Sequence, residues 1–191
     1  MARPALPPLV LASASPRRLE LLRQIGVEPV KIDPAGTDET PHRDEPPRAY
    51  AERMARAKLA VVAPRHPETL VLAADSVVAV GRRILPKAET KDEALSCLEL
   101  LSGRRHKVLG GLALAVPGGK VRTRLVETVV RFKRLEPKEI EAYVASGEWQ
   151  GKAGGYAVQG RAAEFVAFIS GSYSNVVGLP LFETAAMLRS T

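Results

Sequence analysis

Apolar positions along this chain change their spacing so that short strands alternate with helices. An apolar run over residues 9–12 leads into two serines, Ser13 and Ser15, and Pro16 then opens a helix, since proline suits the first helical position. That helix is expected over 16–25, with Leu19, Leu22 and Ile25 as its apolar stripe and Gly26 as its stop. A short strand over 29–32 follows. Next comes the polar, proline-rich loop DPAGTDETPHRDEPP, which is expected to be the most mobile segment. A second helix is expected over 48–62, with Tyr50, Met54, Ala57 and Val61 as its stripe and Lys58 beside it. Residues 69–80 (TLVLAADSVVAV) are nearly all apolar, the pattern of a strand buried on both faces. The chain then turns at Gly81 and Arg82 and returns through 83–85.

Thr90 and Glu93 form a capping box for a third helix bearing Ala94, Leu98 and Leu101, which stops at Gly103. Strands over about 107–116 and 121–132 flank the turn Pro117-Gly118-Gly119. A helix over 137–146 shows Ile140, Tyr143 and Val144 on one side. The glycine-rich segment GKAGGYAVQG precedes a strand over about 164–169, the stretch SGSYSNVVGLP and a final helix through Leu188. No internal repeat is visible. The alternation predicts an α/β protein built on a mixed sheet.

The length of 191 residues fits a single domain over 1–191, or one domain with two lobes, and 46% hydrophobic residues suffice for a sizeable core. No run approaches the length of a transmembrane helix, so no membrane is expected as a partner. The N-terminal MARPALPPLV has one arginine and no adequate hydrophobic region, so no signal peptide is expected. The single cysteine, Cys97, excludes an internal disulfide framework and fits a reducing cytosol, which points to a cytoplasmic protein. It falls within a predicted helix and is expected to be a buried structural thiol. The formal charge of +7 suits nucleic acid, anionic lipid or phosphorylated small molecules. Aromatic residues, at 5%, argue against base stacking on single strands. His42, His66 and His106 lie far apart with no metal-ligand spacing and are expected at the surface or in loops.

Three segments carry candidate chemistry. In SASPRR, Ser15 stands where an N-cap belongs and Arg17 and Arg18 lie in the first turn of the helix. Arginines there add to the positive potential of the free backbone N–H groups, which makes the turn a place to hold an anion, above all a phosphate. Asp75 stands among apolar residues, where an unpaired carboxylate costs roughly several kcal/mol. It either caps a neighbouring loop or serves a cleft as general base or metal ligand. Asp38 and Glu39 matter only if their loop folds back over Asp75. Lys58 and Lys87 either offset phosphate charge beside Asp75 or are surface lysines. GKAGGYAVQG is not a phosphate-binding P-loop, since no Ser or Thr follows its lysine. Its glycines still permit close approach of backbone to a ligand. Gln159 at its end either reads a nucleobase edge, donating and accepting, or lies at the surface.

SASPRR, TDET, ADSVV, KAGGYAVQG and GSYSNVVGLPL occur in this order and spacing. With them the chain resembles the Maf family, also called septum-formation-inhibitor-like proteins, over nearly its whole length. The resemblance implies a fold related to inosine triphosphate pyrophosphatases: a long, twisted mixed sheet with flanking helices and two lobes around a cleft. It also implies a nucleoside triphosphate pyrophosphatase that cuts between the α- and β-phosphates and needs a divalent metal cation, Mg²⁺ or Mn²⁺. By the same resemblance Asp75 is the proton acceptor, and Ser13, Ser15, Arg17 and Arg18 form the phosphate-binding turn. Glu39 joins Asp75 at the metal, and Lys58 and Lys87 are the cleft lysines.

Members acting on dTTP and UTP carry Arg after Ser-Pro, Thr after the catalytic Asp and Gln in the glycine-rich loop. Those acting on 7-methyl-GTP carry Trp, Gln and Glu. Arg17, Ser76 and Gln159 match the first group, with Ser76 in place of the usual Thr. Lys87 stands in Pro-Lys-Ala where the family usually has Lys-Pro. The expected partners are the nucleoside triphosphate and, as an option, a second copy in a homodimer. House-cleaning of nucleotides and control of septum formation are both roles the family implies. The rival class is a non-enzymatic nucleic-acid-binding regulator of cell division; the net charge favours it, and the few aromatics and the buried Asp75 count against it.

Overall fold

A computed structural model describes residues 7–191. The reading of the N-terminus as lacking a signal peptide falls mainly on residues 1–6, outside the described residues. The elements run β1 (Leu9–Leu11), α1 (Pro16–Gln24), β2 (Lys31–Ile32), α2 (Pro47–Val62), β3 (Leu70–Val80), β4 (Arg83–Leu85), β5 (Lys87–Ala88) and α3 (Lys91–Leu101). They continue with β6 (Arg105–Val116), β7 (Lys120–Phe132), α4 (Pro137–Ser146), β8 (Lys152–Ala153), β9 (Val166–Ser170), α5 (Tyr173–Val177) and α6 (Leu181–Arg189). Seven strands form one mixed sheet in the order β2-β1-β3-β6-β7-β9, with β4 paired to β3; β5 and β8 form a separate pair. β1 is parallel to both β2 and β3, with Leu9 opposite Leu70 and Leu11 opposite Leu72. β9 is antiparallel to β7. The expected α/β architecture with a mixed sheet and flanking helices is borne out. No helix among the described residues is long and apolar enough to cross a membrane.

The chain divides into two compact units: one holds the residues up to Asp75, Gly110–Val126 and Gly178–Thr191, the other Ser76–Leu109 and Glu127–Val177. In the first unit, Val10, Ala12, Val71, Ala73, Ala113 and Ala115 of the strands meet Ala55, Leu59 and Val62 of α2. Small residues bring the helix close to the sheet. A Cβ at Gly111 would lie 2.2 Å from the Ala51 carbonyl oxygen. This approach explains why the predicted stripe of α2 is partly wrong. Tyr50 and Met54 are buried as expected, but Val61 is 37% exposed. The buried face turns instead through Ala51, Ala55, Lys58, Leu59 and Val62. Hydrophobicity alone favoured Val61, whereas close packing selected the alanines.

The core of the second unit is aromatic: Phe165 lies edge-on to Phe132 (5.9 Å between centroids) and to Tyr143 (5.4 Å). The capping box of α3 forms as predicted, with the Glu93 N–H donating to the Thr90 hydroxyl (3.3 Å) and the Thr90 N–H to the Glu93 carboxylate (3.0 Å). Cys97 is buried as expected, and burial pushes its thiol up to about 11. Gly154, at φ +68°, sits where a Cβ would meet Val78 at 2.8 Å, which ties the glycine-rich segment closely to β3.

Three further expectations need correction. The strand placed over 164–169 begins only at Val166, because Arg161–Phe165 form a 3-10 turn that buries Ala162 and Phe165. The stretch SGSYSNVVGLP contains the short helix α5, whose Asn175 N–H donates to the Ser172 hydroxyl. β2 is limited to two exposed residues at the sheet edge, shorter than the 29–32 expected.

His106 is likewise no surface histidine. It is 2% exposed on β6 and shares a 2.8 Å hydrogen bond with the Tyr156 hydroxyl. Its Nδ1 has no hydrogen-bond partner among the described residues. Burial pulls the imidazole down to about 4, so the unfolded chain takes up a proton first as the solution is acidified. The resulting stability is fully present above the ordinary value of 6.5 and is lost as pH falls through that value to about 4. His106→Gln should flatten this loss, read as urea midpoints at pH values spanning the window. Identical pH profiles for variant and wild type would contradict it.

Candidate active site

The chain leaves β1 by one further ladder bond, Ala12 N–H to the Leu72 carbonyl (2.8 Å), and then turns at Ser13. The Ser13 hydroxyl accepts from the Ser15 N–H (3.2 Å) and from Arg18 Nη1 (3.0 Å). Pro16 takes the first helical position of α1, and Ser15 holds the N-cap position, its carbonyl accepting from the N–H groups of Arg18 and Leu19. The Ser15 side chain makes no cap bond, so its hydroxyl is not committed to the helix. Arg18 folds back into the protein and is 9% exposed; its Nε donates to the Gly178 carbonyl at 3.0 Å. Burial lowers the Arg18 guanidinium from its ordinary value, and the charges of Asp75 and Glu39 act in the opposite direction. Arg17 is half-buried and lowered mainly by burial, then by the charge of Arg18. The two neighbouring arginines thus crowd positive charge onto one turn.

Asp75, in the middle of β3, is 3% exposed, and Lys58, from the buried face of α2, is 8% exposed. Lys58 Nζ donates to Asp75 Oδ1 at 2.5 Å and lies 2.7 Å from Glu39 Oε1. The acidic loop therefore does fold back: one ammonium joins the strand carboxylate to the loop carboxylate. Breaking a buried pair of this kind by removing one partner costs about 3–5 kcal/mol. Asp38 instead serves its own loop, accepting from the N–H and the hydroxyl of Thr40.

The loop is tied down at several points. The Tyr50 hydroxyl donates to the Glu39 carbonyl at 2.6 Å. Burial, followed by the charges of Asp75 and Glu39, pushes that phenol up to about 12. Arg53 grips Glu45 with Nε and Nη2, both at 2.7 Å, and reaches the Thr40 carbonyl at 3.1 Å. Asp33 is held by Arg65 and His66, each at 2.8 Å. Tyr50 was legible only as a core residue. Arg53 carries no signal in the sequence, because its partners come from turns of the loop; Gly178 lies in the GSYSNVVGLPL motif, but its pairing with Arg18 spans 160 positions.

Ser13, Arg18, Glu39, Lys58 and Asp75 are thus brought together in the first unit, with Ser15 and Arg17 on the same turn. The remaining candidates belong to the second unit. Ser76 follows Asp75 on β3 and is half-buried. Lys87 is exposed on β5, opposite Ala153 of β8. Gln159 is exposed just after the buried Tyr156, Ala157 and Val158. A cavity of about 690 Å³ in the first unit is lined, among others, by Leu59, Ala63, His66, Thr69, Ala115 and Val121, and its lining includes none of the candidate site residues.

Among the described residues, no group of three or more His, Cys, Asp or Glu side chains could cage a metal. The Glu39 and Asp75 carboxylates converge on a single point, and such a pair fits a hard divalent cation that completes its shell with phosphate oxygens and water.

Fold and site define a mixed α/β protein in which an arginine-bearing strand–turn–helix adjoins a buried Asp–Lys–Glu cluster. Residues 8–191 match the family model described as Maf-like protein, and the chain belongs to that family. A relative from Rhodospirillum rubrum named dTTP/UTP pyrophosphatase is 64% identical over 184 residues, covering 96% of this chain and 88% of its own. One of the same name from Caulobacter vibrioides is 64% identical over 182 residues, covering 95% and 94%. Among solved structures, a HAM1 protein from Coxiella burnetii shares 20% identity with a TM-score of 0.47, covering 97% of this chain and 100% of that one. A nucleoside-triphosphatase / dITP/XTP pyrophosphatase from Mycobacterium abscessus shares 19% identity with a TM-score of 0.39, covering 66% and 73%.

Proposed function

We propose that the protein hydrolyses dTTP and UTP to the nucleoside monophosphate and pyrophosphate. The observation that carries this reading is the Asp75–Lys58–Glu39 cluster, electrostatically coupled to an arginine of the Ser13–Arg18 turn. The names of relatives sharing about two thirds of its residues support the choice of substrate. Arg17, Arg18, the Ser13 and Ser15 hydroxyls and the Lys58 ammonium would hold the triphosphate, whose roughly four negative charges need this much positive and donor capacity. Asp75 takes a proton from a water molecule as the water oxygen bonds to the α-phosphorus. The bond from that phosphorus to the α,β-bridging oxygen breaks, and the oxygen leaves with the pyrophosphate. A divalent cation held by Glu39 and Asp75 would neutralise phosphate charge and polarise the α-phosphorus.

Lys87 and Gln159 are included on the strength of their motifs, Lys87 toward phosphate and Gln159 toward the base. A glutamine can accept from the N3–H of uracil or thymine and donate to a neighbouring ring carbonyl. The match of a single family model to residues 8–191 supports reading both units as one family domain. A buried, unpaired Cys97 is in keeping with action in the reducing cytoplasm.

A pyrophosphate-release screen tests the reading. The wild type should process UTP and dTTP well ahead of ATP and 7-methyl-GTP. Gln159→Glu, which cannot donate to a ring carbonyl, should erode that lead. If 7-methyl-GTP leads in the wild type, or the variant keeps the full preference for UTP, the assignment fails.

A further inference from the structure

We propose that Lys58 and the divalent cation compete for the same two carboxylates, so that Lys58 holds Glu39 and Asp75 until a nucleotide draws its ammonium away. The proposal rests on the pyrophosphatase reading and adds an order of binding to it. An ammonium with three donors stands 2.5 Å from one carboxylate and 2.7 Å from the other. The oxygens it engages are those that a shared cation would need. Burial sharpens the competition, because Lys58 and Asp75 are both less than a tenth exposed.

Charge balance points the same way. Two carboxylates face two cations here, since Arg18 is coupled electrostatically to both Asp75 and Glu39. A divalent cation entering this cluster meets repulsion from Lys58 and Arg18. A triphosphate supplies further negative charge and gives the ammonium a new set of acceptors. The helix need not move for the exchange. α2 is pressed against the sheet at Gly111, while the four-carbon stem of Lys58 lets its nitrogen swing toward a phosphate oxygen. Cation and nucleotide then favour one another's binding by the same factor, as linkage requires.

The test uses Mn²⁺ alone, with no nucleotide present, on the full chain. Lys58→Met keeps the apolar stem and removes the charge. Calorimetry and the electron paramagnetic signal of free Mn²⁺ should show the variant binding the ion about fivefold more tightly than wild type, or better. Mg²⁺ should also raise the melting temperature of the variant more than that of wild type. Equal or weaker Mn²⁺ binding by a folded variant overturns the proposal. Wild type provides a second measurement that needs no substitution. The ¹⁵N signal of the Lys58 ammonium should be unmoved by millimolar Mg²⁺ alone and should shift when a non-hydrolysable UTP analogue is added with it. Displacement by Mg²⁺ alone, or no shift with both, overturns the proposal even if Lys58→Met does not fold. Absence of pyrophosphate release by wild type would count against the enzymatic reading and leave these cation measurements unaffected.

Discussion

Replacing Asp75 by asparagine should leave the protein folded and lower kcat for UTP by about 10²–10⁴-fold, the range expected when a general base is lost. Asparagine has nearly the same shape, and its carbonyl can still accept from Lys58 Nζ, which also keeps its contact with Glu39 at 2.7 Å. It cannot take the proton of an attacking water. The loss should therefore appear in kcat under saturating nucleotide and Mg²⁺. Circular dichroism and the melting profile report separately that the fold survives. Turnover near the wild-type rate would remove Asp75 from the role of base, however well buried it is.

The second large effect concerns stability. Gly111→Ala should destabilise the protein by about 3 kcal/mol, at the upper end of what overpacking costs. The new Cβ would stand 2.2 Å from the Ala51 carbonyl oxygen and 2.8 Å from its carbon, and both are backbone atoms that no rotamer change can move. α2 must shift as a whole, and it carries both Lys58 and Tyr50. The melting temperature should drop by roughly 6–12 °C for a chain of this size. Activity should fall as well, since the Lys58 ammonium would lose its register with Asp75. An unchanged melting temperature would mean that the helix lies less tightly on the sheet than these distances require.

Local chemistry made much of this protein legible. The capping box at Thr90 and Glu93, Pro16 at the start of α1 and the Pro117–Gly119 turn act over four residues or fewer, and the structure uses them as read. Asp75 stood out because an acid in an apolar strand needs an explanation, and its partner proved to be a lysine seventeen positions earlier. What stayed hidden depends on distant parts of the chain. The two-residue strands β5 and β8 exist only through each other. The burial of Lys58 follows from the close approach of α2 to Gly111, which no helical periodicity encodes. His106 was placed at the surface because nothing near it in sequence announces Tyr156, fifty residues away.

The first unit is assembled from three separated stretches of chain, and this has a consequence for its synthesis. Its last stretch begins at Gly178, whose carbonyl receives Arg18 Nε across 160 residues. A ribosome delivers Ser13, Arg18, Lys58 and Asp75 more than a hundred residues before Gly178, so the acceptor of Arg18 Nε emerges well after them, with 160 positions between the two. Domains generally fold as units during translation, and this unit is incomplete until its third stretch has been made. Products truncated before Gly178 carry every proposed catalytic side chain and lack the carbonyl that aims the buried arginine. Such a product keeps the Arg18–Ser13 bond and loses the second anchor of the guanidinium.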